Sequence, residues 1–357
     1  MSSALTDLCR YPIVQAPMAG GASGPQLAAA VAEAGGLGFL AAGYKTADGM
    51  YNEIKQLRRL TGGPFGVNLF MPQPALADPS AVEVYRHQLA GEAAWYETPL
   101  GDPDSSGDDG YEAKVAILLE DPVPVVSFTF GCPTRDTLDA FAKAGTYTIV
   151  TVTSAEEAQG AQWAGADAVC VQGVEAGGHQ STHRDDPQAD HTGTGLLTLV
   201  TQVRETVQIP VIATGGLMRG SQIAAVLAAG ADAAQLGTAF LICPESGAHL
   251  LHKQALTNPL FVRTELTRAF SGRPARGLVN RFVREHGPYA PAAYPQVHYL
   301  TTGLRQAAAQ AGDAQGMALW AGQGHRMARE LPAAELIELL AAELEAARAA
   351  LSMRSPR

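Results

Sequence analysis

His179 closes the run AVCVQGVEAGGH, in which Gln172 ends a buried apolar stretch and Gly177–Gly178 precede the imidazole. An imidazole is the side chain best suited to exchange protons near neutral pH. A side-chain amide such as that of Gln172 donates and accepts at once. The paired glycines let backbone and ring approach a flat ligand closely. His183, His191, Asp185, Asp186 and Asp190 follow, so a metal site must be weighed. An HxxxH pair ligates zinc when both rings lie on one helix face, whereas the double glycine before His179 predicts a loop. No metal is assigned.

Four further segments carry groups that could hold a ligand. IPVIATGGLMRGSQ bears Gly215 and Gly216, with bare amides ahead of a helix that Ser221 could cap. AAQLGTAFL bears Gln235, Leu236, Gly237 and Thr238, again entering a helix. Two such ends about one βα unit apart match a phosphate cradle. No lysine lies beside either, so amides and a helix dipole would carry the anion. Asn68 in FGVNLF could bond ring or sugar oxygens of a ligand, and Pro17, Met18 and Ala19 in QAPMAGG present backbone groups.

These segments are the ends of apolar runs of strand length. Eight runs recur: Ile13–Pro17, Leu37–Gly43, Phe65–Phe70, Pro124–Phe130, Tyr147–Thr153, Ala166–Gly173, Pro210–Gly215 and Ala233–Leu241. Continuous apolar strands are buried on both faces, as in a parallel sheet covered by helices. Alanine-rich helices between them end in glycine, as in AAAVAEAGGLG and AAVLAAGADAA. The pattern predicts an α/β fold, a (β/α)8 TIM barrel whose active site lies at the carboxyl ends of the strands. An open doubly wound sheet is the alternative, and the first strand lacks its GxGxxG.

Residues 72–120 break the rhythm and read as an insertion after strand 3. Residues 262–357 read as a mainly helical C-terminal region, leaving 1–71 and 121–261 as the barrel. The last helix begins at Pro332, and Leu336, Leu339, Leu340 and Leu344 form a stripe that should pack on the barrel.

The chain has 357 residues, of which 25 are Lys or Arg and 35 Asp or Glu, for a formal charge of −10. Such an acidic chain without a basic tract disfavours nucleic-acid or anionic-membrane partners. Cys9, Cys132, Cys170 and Cys243 form no CxxC pair and read as free thiols, which with the absence of a signal-peptide pattern points to a cytoplasmic protein. The one basic concentration is Arg263, Arg268, Arg273, Arg276, Arg281 and Arg284. It reads either as attraction for an anion or as ion pairs with the excess carboxylates.

QAPMAGG, AGGLGFLAAGY, FGVNLFMP, VQGVEAGGH, IPVIATGG, QLGTAFL and FSGRPARGLVNRF, in this order, resemble nitronate monooxygenase, formerly called 2-nitropropane dioxygenase. LWAGQG near Trp320 extends the likeness, and FSGRPARG with SFTFG resembles the class that works without a nicotinamide cofactor. The resemblance implies FMN at the barrel mouth, its phosphate on Gly215–Gly216 and on Gln235, Leu236, Gly237 and Thr238. Pro17, Met18, Ala19, Asn68, Gln172 and Gly177 would touch the flavin, with His179 as the catalytic histidine. The implied reaction is oxidation of a small anionic nitronate, such as propionate 3-nitronate, by dioxygen to a carbonyl compound plus nitrite or nitrate. Tyr111, Tyr294 and Tyr299 would wall the substrate space, and Thr302–Gly303 stands where the family pattern suggests a basic residue. Related barrels supply the alternative of an NAD(P)H-dependent FMN reductase acting on a quinone or enoyl thioester. A non-enzymatic flavin-binding protein is a third reading, in which His179 has no evident use.

Overall fold

The computed structural model describes residues 5–74, 78–105, 107–186 and 193–354. Eight parallel strands form the barrel: β1 (Ile13–Gln15), β2 (Gly38–Ala41), β3 (Phe65–Phe70), β4 (Val125–Thr129), β5 (Tyr147–Val152), β6 (Ala168–Gln172), β8 (Val211–Thr214) and β9 (Ala233–Leu236). Their order is β1-β9-β8-β6-β5-β4-β3-β2, and a parallel bridge between Val14 and Leu37 closes the ring. The expected (β/α)8 barrel is therefore the observed fold, and each strand lies within or close to its predicted run.

Alternation along the strands divides two cores. Val14, Phe39, Val125, Ile149, Cys170 and Ile212 fill the barrel interior, with Leu5 and Leu8 packed against them. Ile13, Leu40, Val126, Val150, Val169 and Val211 pack outward against the helices. Gly66 is required inside, because a Cβ there would lie 2.2 Å from the Phe39 ring. The expected helix-ending glycines hold: Gly35, Gly145, Gly165 and Gly230 all have positive φ.

Part of the inserted stretch, helix Tyr111–Glu120, packs on β3 and on the helix before it, as a barrel helix does. The remainder, with helices Pro79–Gln88 and Ala90–Trp95, joins the C-terminal region in a third core of Val82, Tyr85, Leu89, Phe270, Phe282 and Leu304. That region is not helical throughout. It contains a hairpin of β10 (Thr264–Thr267) and β11 (Ala275–Leu278), joined at its edge by β7 (Gly178–His179). The loop expected at Gly177–His179 is thus partly a strand, with His179 opposite Ala275, because β11 offers a free edge to pair with. The last helix, Ala333–Arg354, packs on helices Gly220–Ala228 and Pro25–Glu33. Leu336, Leu340 and Leu344 are buried beneath it, while Leu339 is 37% exposed and lies off the stripe.

All four cysteines are unpaired. Among the described residues no helix is long and apolar enough to cross a membrane.

Candidate active site

A cavity of about 340 Å³ opens at the carboxyl ends of the strands, within the size range of small-molecule sites. Pro17, Met18, Ala19, Asn68, Gln172, Gly177, His179, Gly215, Gly216, Gln235, Gly237 and Thr238 all line it. Leu236 does not; its side chain is 1% exposed and turns into the core.

Several of these groups do different work from that expected. Gln172 accepts from the Ser181 amide (2.8 Å) and donates to the His179 carbonyl (3.1 Å), so it braces the β7 segment. Gly177 permits close packing, since a Cβ there would lie 2.5 Å from the Gly322 nitrogen. Ser221 lies inside its helix rather than capping it; the N-cap is Arg219, without a side-chain bond. Asn68 Nδ2 donates to Ser127 Oγ (2.9 Å) and Thr129 Oγ1 (3.0 Å), which leaves Oδ1 of this cavity-lining residue free to accept. Thr238 Oγ1 accepts from the Gly322 amide (2.9 Å), and its own hydrogen remains to donate.

Gly215 and Gly216 have φ of 141° and 67°, and neither amide donates to a protein group among the described residues. The rim they form with Gly237 and Thr238 offers N–H groups without side chains in the way.

The far side of the mouth is different. In the ring order β8 and β9 lie opposite β3 and β4, and there the wall is Tyr44, Phe70, Phe130 and Arg305. Tyr44 and Phe130 have φ of 65° and 74°, a conformation rare for bulky residues and concentrated at functional sites. Arg305 donates to the His298 carbonyl (2.9 Å) and Thr302 Oγ1 (2.8 Å) and has no carboxylate partner among the described residues. Among the described residues no aspartate or glutamate lines the cavity. Burial lowers the Arg305 guanidinium to about 10, so it remains charged at neutral pH.

His179 joins the two sides. Its Nε2 lies 2.9 Å from Ser271 Oγ, and its ring meets Phe130, Tyr294 and Trp320. Burial, reinforced by Arg273 and Arg305, lowers its pKa to about 3, and the ring is neutral at pH 7. Burial likewise lowers His298 to about 2 and His252 to about 4.

A scan of family models matches residues 2–343 to nitronate monooxygenase. A nitronate monooxygenase from Pseudomonas aeruginosa is 42% identical over 351 residues, covering 94% of this chain and 96% of the relative. Another, from Paraburkholderia phytofirmans, is 41% identical over 343 residues, covering 94% and 92%. The crystal structure of a nitroalkane oxidase from Streptomyces ansochromogenes superposes with a TM-score of 0.96 at 74% identity, over 98% of this chain and 100% of that one. The chain belongs to the nitronate monooxygenase family. It is an oxidoreductase.

In this family member the arginine segment divides by partner. Arg263 pairs with Glu265 (2.8 Å), Arg268 with Asp185 (2.7 Å), and Arg281 with Glu92 and Glu285, as an ion-pair reading expects. Arg273 is 1% exposed and bonds only neutral acceptors, including Gln73 Oε1 at 2.7 Å. Its guanidinium lies 4.2 Å from the centre of the Phe130 ring. Arg276 bonds the Val174 carbonyl (2.9 Å), and Arg284 is exposed.

None of the three predicted tyrosines lines the cavity: Tyr294 packs behind its wall on His179 and Phe130, Tyr299 packs on His298, and Tyr111 is buried in the outer core. His183 is occupied with the Thr151 carbonyl (3.0 Å), while Asp190 and His191 lie outside the described residues. Among the described residues the one cluster of metal-type ligands is Glu92, Glu285 and His286, and Arg281 already pairs with both of its carboxylates.

Sequence reasoning missed Arg305, Tyr44 and Ser271. Arg305 lies just beyond the expected basic position Thr302–Gly303, and Thr302 there holds its guanidinium instead. Tyr44 follows directly on the quoted AAG turn. No local signal marks Ser271 as a neighbour of a histidine 92 residues away.

Proposed function

We propose that the protein oxidises small anionic nitronates with dioxygen, using FMN held at the barrel mouth. The single observation that carries this reading is the charge of the cavity: in a chain of net charge −10, its wall has, among the described residues, a guanidinium and no carboxylate. Such a field raises the local concentration of an anion.

The residues present suit FMN. Gly215 and Gly216 offer unpaired amides to a phosphate, and Gly237 and Thr238 add to them. Asn68 Oδ1 can accept from a ring N–H. A Cβ on Gly20 or Gly178 would meet nothing within 4 Å, so both face the open space a planar ring system needs. Bound there, a flavin supplies the electron transfer that side chains cannot perform.

The chain's own residues place and orient the substrate. Arg305 attracts it, and Tyr44, Phe70 and Phe130 exclude water from its apolar part. His179, neutral as its neighbours hold it, lines the space the substrate would occupy. Where the substrate is a neutral nitroalkane, the same imidazole takes the Cα proton: the C–H pair becomes the C=N bond and an N–H forms on the ring. An anionic nitronate or its charge-developing precursor favours the imidazolium, which offsets part of the depression caused by the arginines.

Anaerobic titration of the flavin-loaded protein tests this reading. Propionate 3-nitronate should change the flavin absorption, and NADH should not. Rapid reduction by NADH or NADPH with no response to nitronate would replace it with the reductase reading.

A further inference from the structure

We propose that Ser271 is a positioning residue that fixes the tautomer of His179, leaving Nδ1 as the proton acceptor on the cavity side. The inference rests on the reading of His179 as the group that faces the substrate.

Hydrogen-bond inventory carries it. Ser271 Oγ has three neighbours: His179 Nε2 at 2.9 Å, the Arg273 carbonyl at 3.3 Å and the Arg273 amide at 3.4 Å. A hydroxyl has one hydrogen and two lone pairs. The Arg273 amide can only donate and therefore takes one lone pair. The Arg273 carbonyl can only accept, and among the described residues Ser271 is its sole donor. Arg273 and Ser271 are each 1% exposed, so an unmet carbonyl there would be costly. The serine hydrogen therefore goes to Arg273, and its second lone pair receives Nε2–H from the imidazole. With the proton on Nε2, the neutral ring keeps its free pair at Nδ1. Nδ1 has no protein partner among the described residues, and His179 lines the cavity.

The rest of the segment is arranged to make this bond decisive. Gln172 holds the His179 carbonyl, and β11 pairs with the His179 backbone, so the main chain is clamped from both sides. Ring rotation and tautomer are the freedoms left, and Ser271 in the β10–β11 hairpin removes both.

The test compares wild type, Ser271→Ala and Ser271→Thr as FMN-loaded proteins, each checked for flavin content. Neutral nitroethane needs a proton removed; ethyl nitronate, its conjugate base, does not. In Ser271→Ala, kcat/KM for nitroethane should fall by about 10-fold or more, the usual effect of removing the partner that orients a working histidine. The value for ethyl nitronate should hold within about threefold, and Ser271→Thr should restore the first. Nitrogen-15 spectra of histidine-labelled protein, with the His179 signals identified by their loss in His179→Asn, should show protonated Nε2 in wild type and in the threonine variant. The alanine variant should show a mixture. Equal loss on both substrates, no loss on either, or protonated Nδ1 in wild type would overturn the proposal. If wild type oxidises neither substrate, the proposed function fails, while the nitrogen-15 result still decides the tautomer.

Discussion

Where β8 and β9 end, the cavity wall is Gly215, Gly216, Gly237 and Thr238; across the mouth it is Tyr44, Phe70, Phe130 and Arg305. The first side presents backbone amides on rigid strand ends, and any ligand it holds is recognised by geometry and partial charge. The second presents rings and a full charge, and much of its support comes from outside the barrel. His298, Thr302 and Arg305 belong to helix Gln296–Gln310, and Arg273 to the β10–β11 hairpin. On the proposed function this contrast is a division of labour: the barrel would bind what is common to the cofactor, and the appended region would set what is particular to the substrate. His179 stands at the seam, on a barrel loop that pairs with the appended hairpin.

The sharpest way to break that division is to remove the residue at the seam. His179→Asn should lower turnover of nitroethane by about 100- to 10,000-fold, the usual worth of a positioned base, while the protein stays yellow. Loss of flavin together with activity would show that the seam belongs to the cofactor side.

On the appended side, Arg305→Met should raise KM for propionate 3-nitronate by roughly 10- to 100-fold, as expected for a charge-assisted hydrogen bond of about 1.5–3 kcal/mol. Flavin content should be unchanged. A loss of FMN instead would move Arg305 to the cofactor's account.

On the barrel side, Gly177→Ala pushes a methyl against the Ala321–Gly322 backbone and should cost about 1–3 kcal/mol, read as a lower Tm. An unaltered Tm would mean that the 321–322 segment yields freely.

Both sides of the mouth also share a dependence on pH. His179, His252 and His298 are held to about 3, 4 and 2 in the folded chain, against about 6.5 unfolded. Between these limits the unfolded chain binds more protons, so stability falls as pH is lowered below about 6.5. Each histidine contributes up to about 1.4 kcal/mol per pH unit. Thermal unfolding from pH 7 to 5 should show the slope, and His252→Gln should reduce it. A flat profile would contradict the burial of these rings.

Much of the barrel side was legible in the residues. Gly215, Gly216, Gly237 and Asn68 sit at the ends of apolar runs, and strand periodicity alone directs such ends to one rim. Gln172 was found at the cavity, and the structure adds partners in the neighbouring loop, because a side-chain amide at a strand end is equally able to bind a ligand or a loop. The appended side was hardly legible. The hairpin at 264–278 carries arginines and glycines that suppress a strand pattern, and its edge recruited Gly178–His179 into a sheet that no local signal announces.

The chain by itself determined the eight-stranded barrel, the glycine-bearing rim and the candidate histidine, since each depends on residue type and periodicity within a few tens of positions. Only the tertiary structure decided that Arg305 would reach the cavity without a carboxylate, that Arg273 would lie under Phe130, and that Ser271 would meet His179 Nε2. Those contacts join positions 92 or more residues apart for Ser271 and His179. Burial and the fields of neighbouring charges, which set the protonation of the imidazole, exist only once the chain has closed around it.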